Sequence, residues 1–412
     1  MTTELRGPRT LILSNSFSGG GAEAVARLMV ETLDKSTCVL FENNAQVELK
    51  DRTVWVAGWK HSSGRLVTVL INLWRLLAVQ VAKLIVRPSA TISHLEGPNF
   101  ANLLTGFGGR KIVFVHNRLG HSYQTTALRD RALLALGRFL YKRADVVVAV
   151  SSGIRDEIVS DFRVDPLKVL VLPNPIDLRQ IKKKALKEYG DDRDHLLKEK
   201  YLVSVASLTE QKNHRGMLKL YARLVSHTPM SCELKLIILG TGPLKQELKE
   251  ECARLDLSFL DASDGRGFNR HAQIFFMGYQ FNPYPLLTNA QMLIMTSKWE
   301  GLPIALLESM GLGVPAAVTD CSESIREVWN ITPTRENAFI KEAFLAECGI
   351  LLPLQFDEAK YLDQTTDMIF HIATNSEARD RLGQNCLVAA ERFTIDRVKE
   401  IWEEKLLLHT SN

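Results

Sequence analysis

The chain has 412 residues, 51 Lys+Arg against 47 Asp+Glu, and a formal net charge of +4. With 46% hydrophobic and 24% charged residues, its composition excludes wholesale disorder, collagen-like repeats and a multi-span membrane protein. So small a charge argues against nucleic acid as a partner. At roughly 150 residues per domain, the length predicts two or three domains, each able to bury its own core. Cysteines stand at 38, 232, 252, 321, 348 and 386 with no CxxC or metal-like spacing, so neither a zinc site nor a disulfide framework is expected. The N-terminal apolar run is too short for a signal-peptide core, and a reduced, cytoplasmic compartment is the default expectation.

In chain order, apolar runs of four to six residues alternate with helical patterns. Strands are predicted at Thr10–Leu13, Thr53–Val56, Lys111–His116, Val146–Val150, Val169–Leu172, Leu202–Ala206, Leu234–Leu239, Ile274–Met277, Met292–Met295 and Ala316–Val318. Most precede 10–18 residues of helical periodicity, the pattern of βαβ units with parallel sheets buried on both faces. Two doubly wound α/β sheets fit the length better than one. The charged stretch DLRQIKKKALKEYGDDRDHLLKEK after Pro173-Asn174-Pro175 marks the boundary, and the strand pattern restarts at Leu202. Domains are therefore expected at 1–178 and 200–395.

Charge is unevenly spread. Up to Asn174 there are 22 basic and 14 acidic residues, a net of +8, and the remainder carries −4. From Arg52 to Leu95 there are six basic residues and no acidic one. Within that stretch Leu66–Val86 is apolar enough to suggest a membrane span, but Arg75 near its middle would be costly at a bilayer centre. Thr68, Asn72, Arg75, Gln80, Lys83 and Arg87 recur at helical spacing on one face. The expectation is a crossover helix packing its wide apolar face on the first sheet. The alternative is a surface in which Arg65, Arg75, Lys83 and Arg87 meet an anionic leaflet.

Three loops could carry chemistry. Gly19-Gly20-Gly21 lies between the first strand and a helix, where backbone amides and a helix N-terminus favour an anion. Ser207-Leu208-Thr209-Glu210-Gln211-Lys212 follows the strand that opens the second domain, placing Lys212 where a phosphate would sit. Gly240-Thr241-Gly242 is a second strand-to-loop turn there. The third loop runs from Ser297 to Met310. Pro303 suits a helix start, so amides near Leu302, Pro303, Ile304 and Ala305 would face a ligand, with Glu300 before the helix and Glu308 inside it. Two carboxylates flanking an anion-binding N-terminus match a nucleoside-diphosphate sugar: one for sugar hydroxyls, one for ribose, the amides for pyrophosphate.

Here the chain resembles the retaining glycosyltransferases of family 4, which have the two-domain GT-B fold. The resemblance covers nearly the whole chain, in order: Gly19–Gly21, VFVHN with His116, ADVVVAVSSGIRDEI, LPNPID, LVSVASLTEQKNH, LIILGTGP, Glu300-x7-Glu308, VPAAVTDC with Glu327 after it, CGILLP and ERFTIDRVKEIWEEKL. It implies two Rossmann-like domains facing a cleft, with a C-terminal helix of about 396–412 crossing back to the first. Glu300 would face the donor sugar, Glu308 the ribose and Lys212 the diphosphate, while Gly19–Gly21 would line the donor phosphates and acceptor entrance. His116 would contact the donor sugar or the acceptor. His94 and Glu96 could line the same cleft, and Glu323 and Glu327 read as helix-start residues. One departure stands out: the family usually has Gly-Arg-Leu where this chain reads Ala206-Ser207-Leu208, so the Arg that would grip the diphosphate is absent.

The activity implied is transfer of a hexose or N-acetylhexosamine, with retention, from a UDP-sugar. The implied acceptor is a lipid-linked glycan of bacterial surface polysaccharide (O-antigen, capsule or exopolysaccharide). No metal or other cofactor is expected, since the chain lacks a DxD-type motif. The implied place is the cytoplasm, peripheral on the inner face of the plasma membrane. A non-catalytic scaffold, marked by Ser207, and a nucleotide-sugar epimerase are the alternatives.

Overall fold

The computed structural model describes residues 9–17, 20–42, 53–58, 64–122, 128–227, 234–262, 271–331 and 339–407. It divides into two compact units: Met1–Pro175 with Ile395–Asn412, and Ile176–Thr394. Each unit is an α/β fold built on one mainly parallel sheet, as the βαβ periodicity predicts.

Among the described residues the first unit holds seven parallel strands: β1 (Thr10–Ser14), β2 (Ser36–Leu40), β3 (Thr53–Val56), β4 (Ala90–His94), β5 (Arg110–Val115), β6 (Val146–Ala149) and β7 (Val169–Val171). They lie in the order β3-β2-β1-β4-β5-β6-β7. The chain winds outward from β1 to β3 and then returns past it to β4, so β1 and β4 flank the point where the order reverses. Ligands favour the carboxyl ends of strands at such a point. β2 and β4 escaped the sequence reading. Ser36-Thr37-Cys38 and Ser93-His94 dilute the apolar runs there, yet both strands are almost wholly buried because helices cover the sheet. Helix α1 (Gly21–Thr32) follows β1, α2 (Arg65–Val86) precedes β4, and α3 (Glu96–Leu104) follows it. Trp402 of the terminal helix Ile395–Trp402 is fully buried, and Arg110 Nη1 donates to the Leu406 carbonyl at 3.2 Å.

Helix α2 is the crossover helix expected, but its orientation corrects the sequence reading. Ile71, Val79, Ala82 and Val86 do face the core, where Val79, Ala82 and Val86 meet Leu11, Leu13, Val39 and Phe41. Arg75 and Lys83 go in with them. Arg75 Nη2 donates to the Phe41 carbonyl at 3.2 Å and lies 3.7 Å from the Glu42 carboxylate. Lys83 Nζ donates to the carbonyl and Oδ1 of Asn102, both at 2.9 Å, and to the Thr105 carbonyl at 3.4 Å. Burial lowers the Lys83 ammonium to about 7, with the charge of Lys111 acting the same way. These two cations hold the helix to its own unit and are not available to an anionic surface. Most of the wide apolar face instead points away: Leu70, Leu73, Trp74, Leu77, Leu84 and Ile85 are all about half exposed or more. Once two charged groups find carbonyl partners inside, that face has no sheet left to cover it.

The second unit has eight strands: β8 (Tyr201–Val205), β9 (Lys235–Leu239), β10 (Phe259–Asp261), β11 (Ile274–Gly278), β12 (Met292–Met295), β13 (Ala316–Thr319), β14 (Phe344–Ala346) and β15 (Gly349–Leu352). Their order is β10-β11-β9-β8-β12-β13-β15-β14. The edge pair β14–β15 is antiparallel, a departure from the all-parallel expectation, and its short outer strand closes the sheet with Phe344 and Leu345 exposed. Leu236, Ile238, Ile274, Phe276, Met292 and Ile294 point into one core with Met217, Leu220 and Tyr221 of α4 (His214–His227). Burial of this kind contributes about 25 cal/mol per Å², and it fixes the loops at the strand ends.

Candidate functional site

In the second unit, two sequence-predicted residues, Lys212 and Glu300, meet at the carboxyl ends of β8 and β12. β8 runs through Ala206–Thr209 into a single 3₁₀ turn, Glu210–Lys212, which ends on Asn213 in the left-handed region at φ 47°. That reversal starts α4 and points Lys212 toward the end of β12. Thr296 fixes the turn from the other side, its Oγ1 donating to the carbonyls of Lys212 and Asn213, both at 3.1 Å. The Lys298 amide donates to the Gln211 carbonyl at 2.7 Å, and Gln211 Nε2 to the Trp299 carbonyl at 2.9 Å. Two loops distant in sequence are thus joined backbone to backbone.

Glu300 sits in that joint, 5% exposed. Its Oε1 accepts from Lys212 Nζ at 2.5 Å and from Ser297 Oγ at 2.6 Å. A buried carboxylate is costly unless paired and hydrogen-bonded, and here it is both. Thr319 Oγ1 donates to the Ser297 carbonyl at 2.5 Å, extending the network to β13. Lys212 stays partly open to solvent, so one end of the pair is free to meet an incoming anion.

Helix α5 (Ile304–Gly311) begins four residues after Glu300. Pro303 is its N-cap rather than its first helical residue, and no side chain caps the helix. Leu306 and Leu307 donate back to the Pro303 carbonyl, whereas Ile304 and Ala305 open the helix with no intrahelical acceptor. Those two amides sit at the positive end of the helix dipole. Leu302 and Pro303 are buried and act as the floor from which the helix starts. Glu308, inside the helix, accepts from Tyr284 Oη at 2.7 Å. No sequence signal points to Tyr284.

Gly240 and Gly242 serve the site one layer back. A Cβ on Gly240, at φ 150°, would lie 1.9 Å from the Ala206 carbonyl oxygen, and one on Gly242 would lie 2.3 Å from that of Leu208. With the Leu208 amide donating to Thr241 at 3.0 Å, the glycines clamp the loop that carries Ser207. Ser207 itself is exposed at the loop's apex. Glu323 opens a short helix, as expected. Glu327 does not: it is the fifth residue of Glu323–Val328, because Ser322 already caps the helix.

The first unit places its candidates differently. Gly19 lies outside the described residues. Gly20 is the N-cap of α1 and Gly21 its first residue. Gly20's backbone amide is taken by the carboxylate of Glu23, three residues on. Burial holds the Glu23 carboxyl above its usual range, against these amide bonds, and Glu42 and Glu96 push it the same way. The glycine turn read as a phosphate cradle therefore already holds a carboxyl group of its own.

His116, just beyond β5, and His94, at the end of β4, are both buried, and His116 Nε2 lies 3.0 Å from His94 Nδ1. One ring nitrogen must donate and the other accept. Burial lowers His116 to about 4 despite a hydrogen bond with Asn174, and lowers His94 further with the charge of His116 against it. Both rings are neutral at pH 7. Glu96 begins α3 after Leu95, which holds φ 71°, and burial raises its carboxyl. His94 and Glu96 thus sit at the carboxyl end of β4, beside the reversal of strand order.

The Glycosyltransferase Family 4 model matches residues 19–180, and the Glycosyl transferases group 1 model matches residues 188–335. The chain belongs to this glycosyltransferase family and is an enzyme of the transferase class. Among curated relatives, it is 29% identical to N-acetylgalactosamine-N,N'-diacetylbacillosaminyl-diphospho-undecaprenol 4-alpha-N-acetylgalactosaminyltransferase of Campylobacter jejuni, over 57% of this chain and 58% of that one. It is 23% identical to the Escherichia coli UDP-Gal:alpha-D-GlcNAc-diphosphoundecaprenol alpha-1,3-galactosyltransferase, over 50% and 51%. The chain thus spans little more than half the length of these relatives. Among solved structures, Anabaena HepE in complex with UDP-glucose matches with a TM-score of 0.70 at 15% identity, over 97% of this chain and 99% of that one.

Proposed function

We propose that the chain moves a hexose or N-acetylhexosamine from a UDP-sugar to a lipid-pyrophosphate-linked glycan acceptor, with retention of anomeric configuration, in bacterial surface-polysaccharide synthesis. The observation that carries the reading is the Glu300–Lys212 pair placed four residues ahead of the open amides of Ile304 and Ala305. Two relatives whose names specify diphospho-undecaprenol acceptors support the acceptor class.

In this reading the diphosphate takes Lys212 from Glu300 and receives the amides of Ile304 and Ala305. Negative charge that builds on the leaving group is met by groups already in place, which is where preorganised electrostatics act. Lys298, tied to the same loop through Gln211, supplies a further cation in place of the Arg absent at Ser207. Glu300, released from Lys212 and still held by Ser297, turns to the hydroxyls of the donor sugar. Glu308, oriented by Tyr284, receives the ribose. As the anomeric carbon acquires oxocarbenium character, the acceptor hydroxyl attacks on the leaving-group side and passes its proton to a phosphate oxygen. The neutral His94–His116 pair offers a hydrogen bond to sugar or acceptor without a competing charge. Nothing in this scheme calls for a metal, and we place the reaction on the cytoplasmic face of the membrane.

UDP release from a panel of UDP-sugars, with and without undecaprenyl-diphosphate-linked acceptors, tests the reaction. NMR of the product linkage reads retention, and EDTA leaves the rate unchanged. Release by the wild type and its loss in Glu300→Gln is the expected result. No release from any nucleotide sugar overturns it in favour of a non-catalytic scaffold, and release without glycan product, with a 2-epimer formed, in favour of an epimerase.

A further inference from the structure

We infer that the outward face of α2 is a membrane-docking surface, on which the helix lies flat in the interfacial layer of an anionic bilayer. The 22-residue helix is built the opposite way round from an ordinary surface helix. Its central cations, Arg75 and Lys83, are buried and hydrogen-bonded inside the unit. Leu70, Trp74, Leu77, Val81 and Leu84, spaced by three or four residues, form one stripe at 43–64% exposure. Val67, Val69, Leu73 and Ile85 flank it, so at about 1.5 Å per residue the exposed apolar face from Val67 to Ile85 is about 27 Å long, near the upper size that soluble monomers leave to water.

A second observation extends the stripe. The Gly106 amide donates to Gln80 Oε1 at 2.9 Å, which ties the loop after α3 to the flank of α2. The next residue, Phe107, is 80% exposed and holds φ 57°, a left-handed conformation an aromatic residue rarely adopts. A bulky apolar side chain kept in such a backbone state at a loop tip gains nothing from water.

The occupant follows from size and charge. About 27 Å by 10 Å is roughly 270 Å², well short of the ~800 Å² per partner that a stable protein interface needs. A bilayer sets no such threshold, since insertion scales with apolar area and adds attraction to anionic lipids. The chain from Arg52 to Leu95 holds no acidic residue, so nothing on this helix or its flanking segments repels an anionic leaflet, and Arg87 is exposed at the helix end. A transmembrane orientation is excluded by the packing of Val79, Ala82 and Val86 on the sheet. The surface suits the lipid-linked acceptor proposed above but does not rest on it, because vesicle binding is measured without donor or acceptor.

The test is co-sedimentation of the full-length protein with phosphatidylcholine vesicles containing 30% phosphatidylglycerol. Wild-type protein binds, and Leu77→Glu/Val81→Glu and Phe107→Ser each lower the partition coefficient, the double variant at least tenfold, with unchanged thermal melting. Brominated lipids quench tryptophan emission, and Trp74→Phe removes most of that quenching. No wild-type binding, equal binding by the variants, or equal binding to phosphatidylcholine alone overturns the proposal. So does a dimer in sedimentation velocity that the double variant converts to monomer, which assigns the face to a second copy of the chain.

Discussion

Helices α1 and α5 both begin just past a parallel strand, where backbone amides and dipole invite an anion, and they differ in who supplies it. In α1 the anion is internal: Glu23 reaches back to the Gly20 amide and fills the position. In α5 Pro303 has no side chain to offer, and Ile304 and Ala305 are left for something from outside. A strand–loop–helix pattern therefore does not identify a phosphate site by itself; the residue three places into the helix has to be read with it. On the proposed reading the diphosphate goes to α5, while the turn at Gly20 already holds the carboxyl of Glu23.

The largest expected effect comes from the pair that precedes α5. Glu300→Gln lowers kcat by on the order of 10²–10³, the range seen when a group stabilising transition-state charge is removed. UDP affinity by calorimetry stays within a few-fold, because Lys212 is released to the diphosphate. Lys212→Ala costs about 10² in kcat/KM and weakens UDP binding as well. If Lys212→Ala binds UDP as wild type does, the anion site is not at α5.

Making α5 resemble α1 should come next. Ala305→Glu puts a carboxylate in the first turn and raises the donor KM about tenfold, equivalent to about 1.4 kcal/mol. On the reading that α1 is capped by its own Glu23, Glu23→Gln leaves the donor KM within twofold; a large rise would erase the contrast between the two helices.

The remaining effect is on stability rather than rate, and its sign follows from the histidine pair. His94 and His116 have folded pKa values below the unfolded value near 6.5, with His116 at about 4. Between those values the unfolded chain binds more protons, so stability is present above pH 6.5 and is lost as pH falls toward 4. For His116 the loss at pH 5 is about 2 kcal/mol. A His116→Asn variant should show a flatter fall in melting temperature from pH 7 to 5 than the wild type. An unchanged slope would mean that the ring is already charged in the folded protein.

Much of this was legible from residue patterns, and the misses have physical causes. The two sheets follow from apolar runs of strand length, and the places of Glu300 and Lys212 from the loops at strand ends, whereas their pairing appears only once the two loops are brought together. β2 and β4 were missed because tertiary cover buries Ser, Thr and His side chains that look polar in isolation. The orientation of α2 could not be read from periodicity, which finds a polar face and an apolar face without saying which one the sheet will take. Carbonyls of Phe41, Asn102 and Thr105 decided it, and they are distant in sequence from Arg75 and Lys83. Tyr284, 24 residues before Glu308, gave no sequence signal because its role depends on where a short helix comes to rest.

The contact between Gly240, Gly242 and the Ala206–Leu208 backbone bears on how random mutagenesis of this enzyme will look. Either glycine changed to alanine would collide with a carbonyl oxygen that cannot swing aside as a side chain can. The loop carrying Ser207 would have to shift, and with it the turn that aims Lys212. A screen for lost activity will flag both positions as strongly as Glu300, although neither needs to touch the substrate. Thermal stability sorts the two kinds of hit: the glycine variants melt lower, while Glu300→Gln, which removes the buried charge and keeps an oxygen for Ser297 and Lys212, leaves the melting point nearly unchanged.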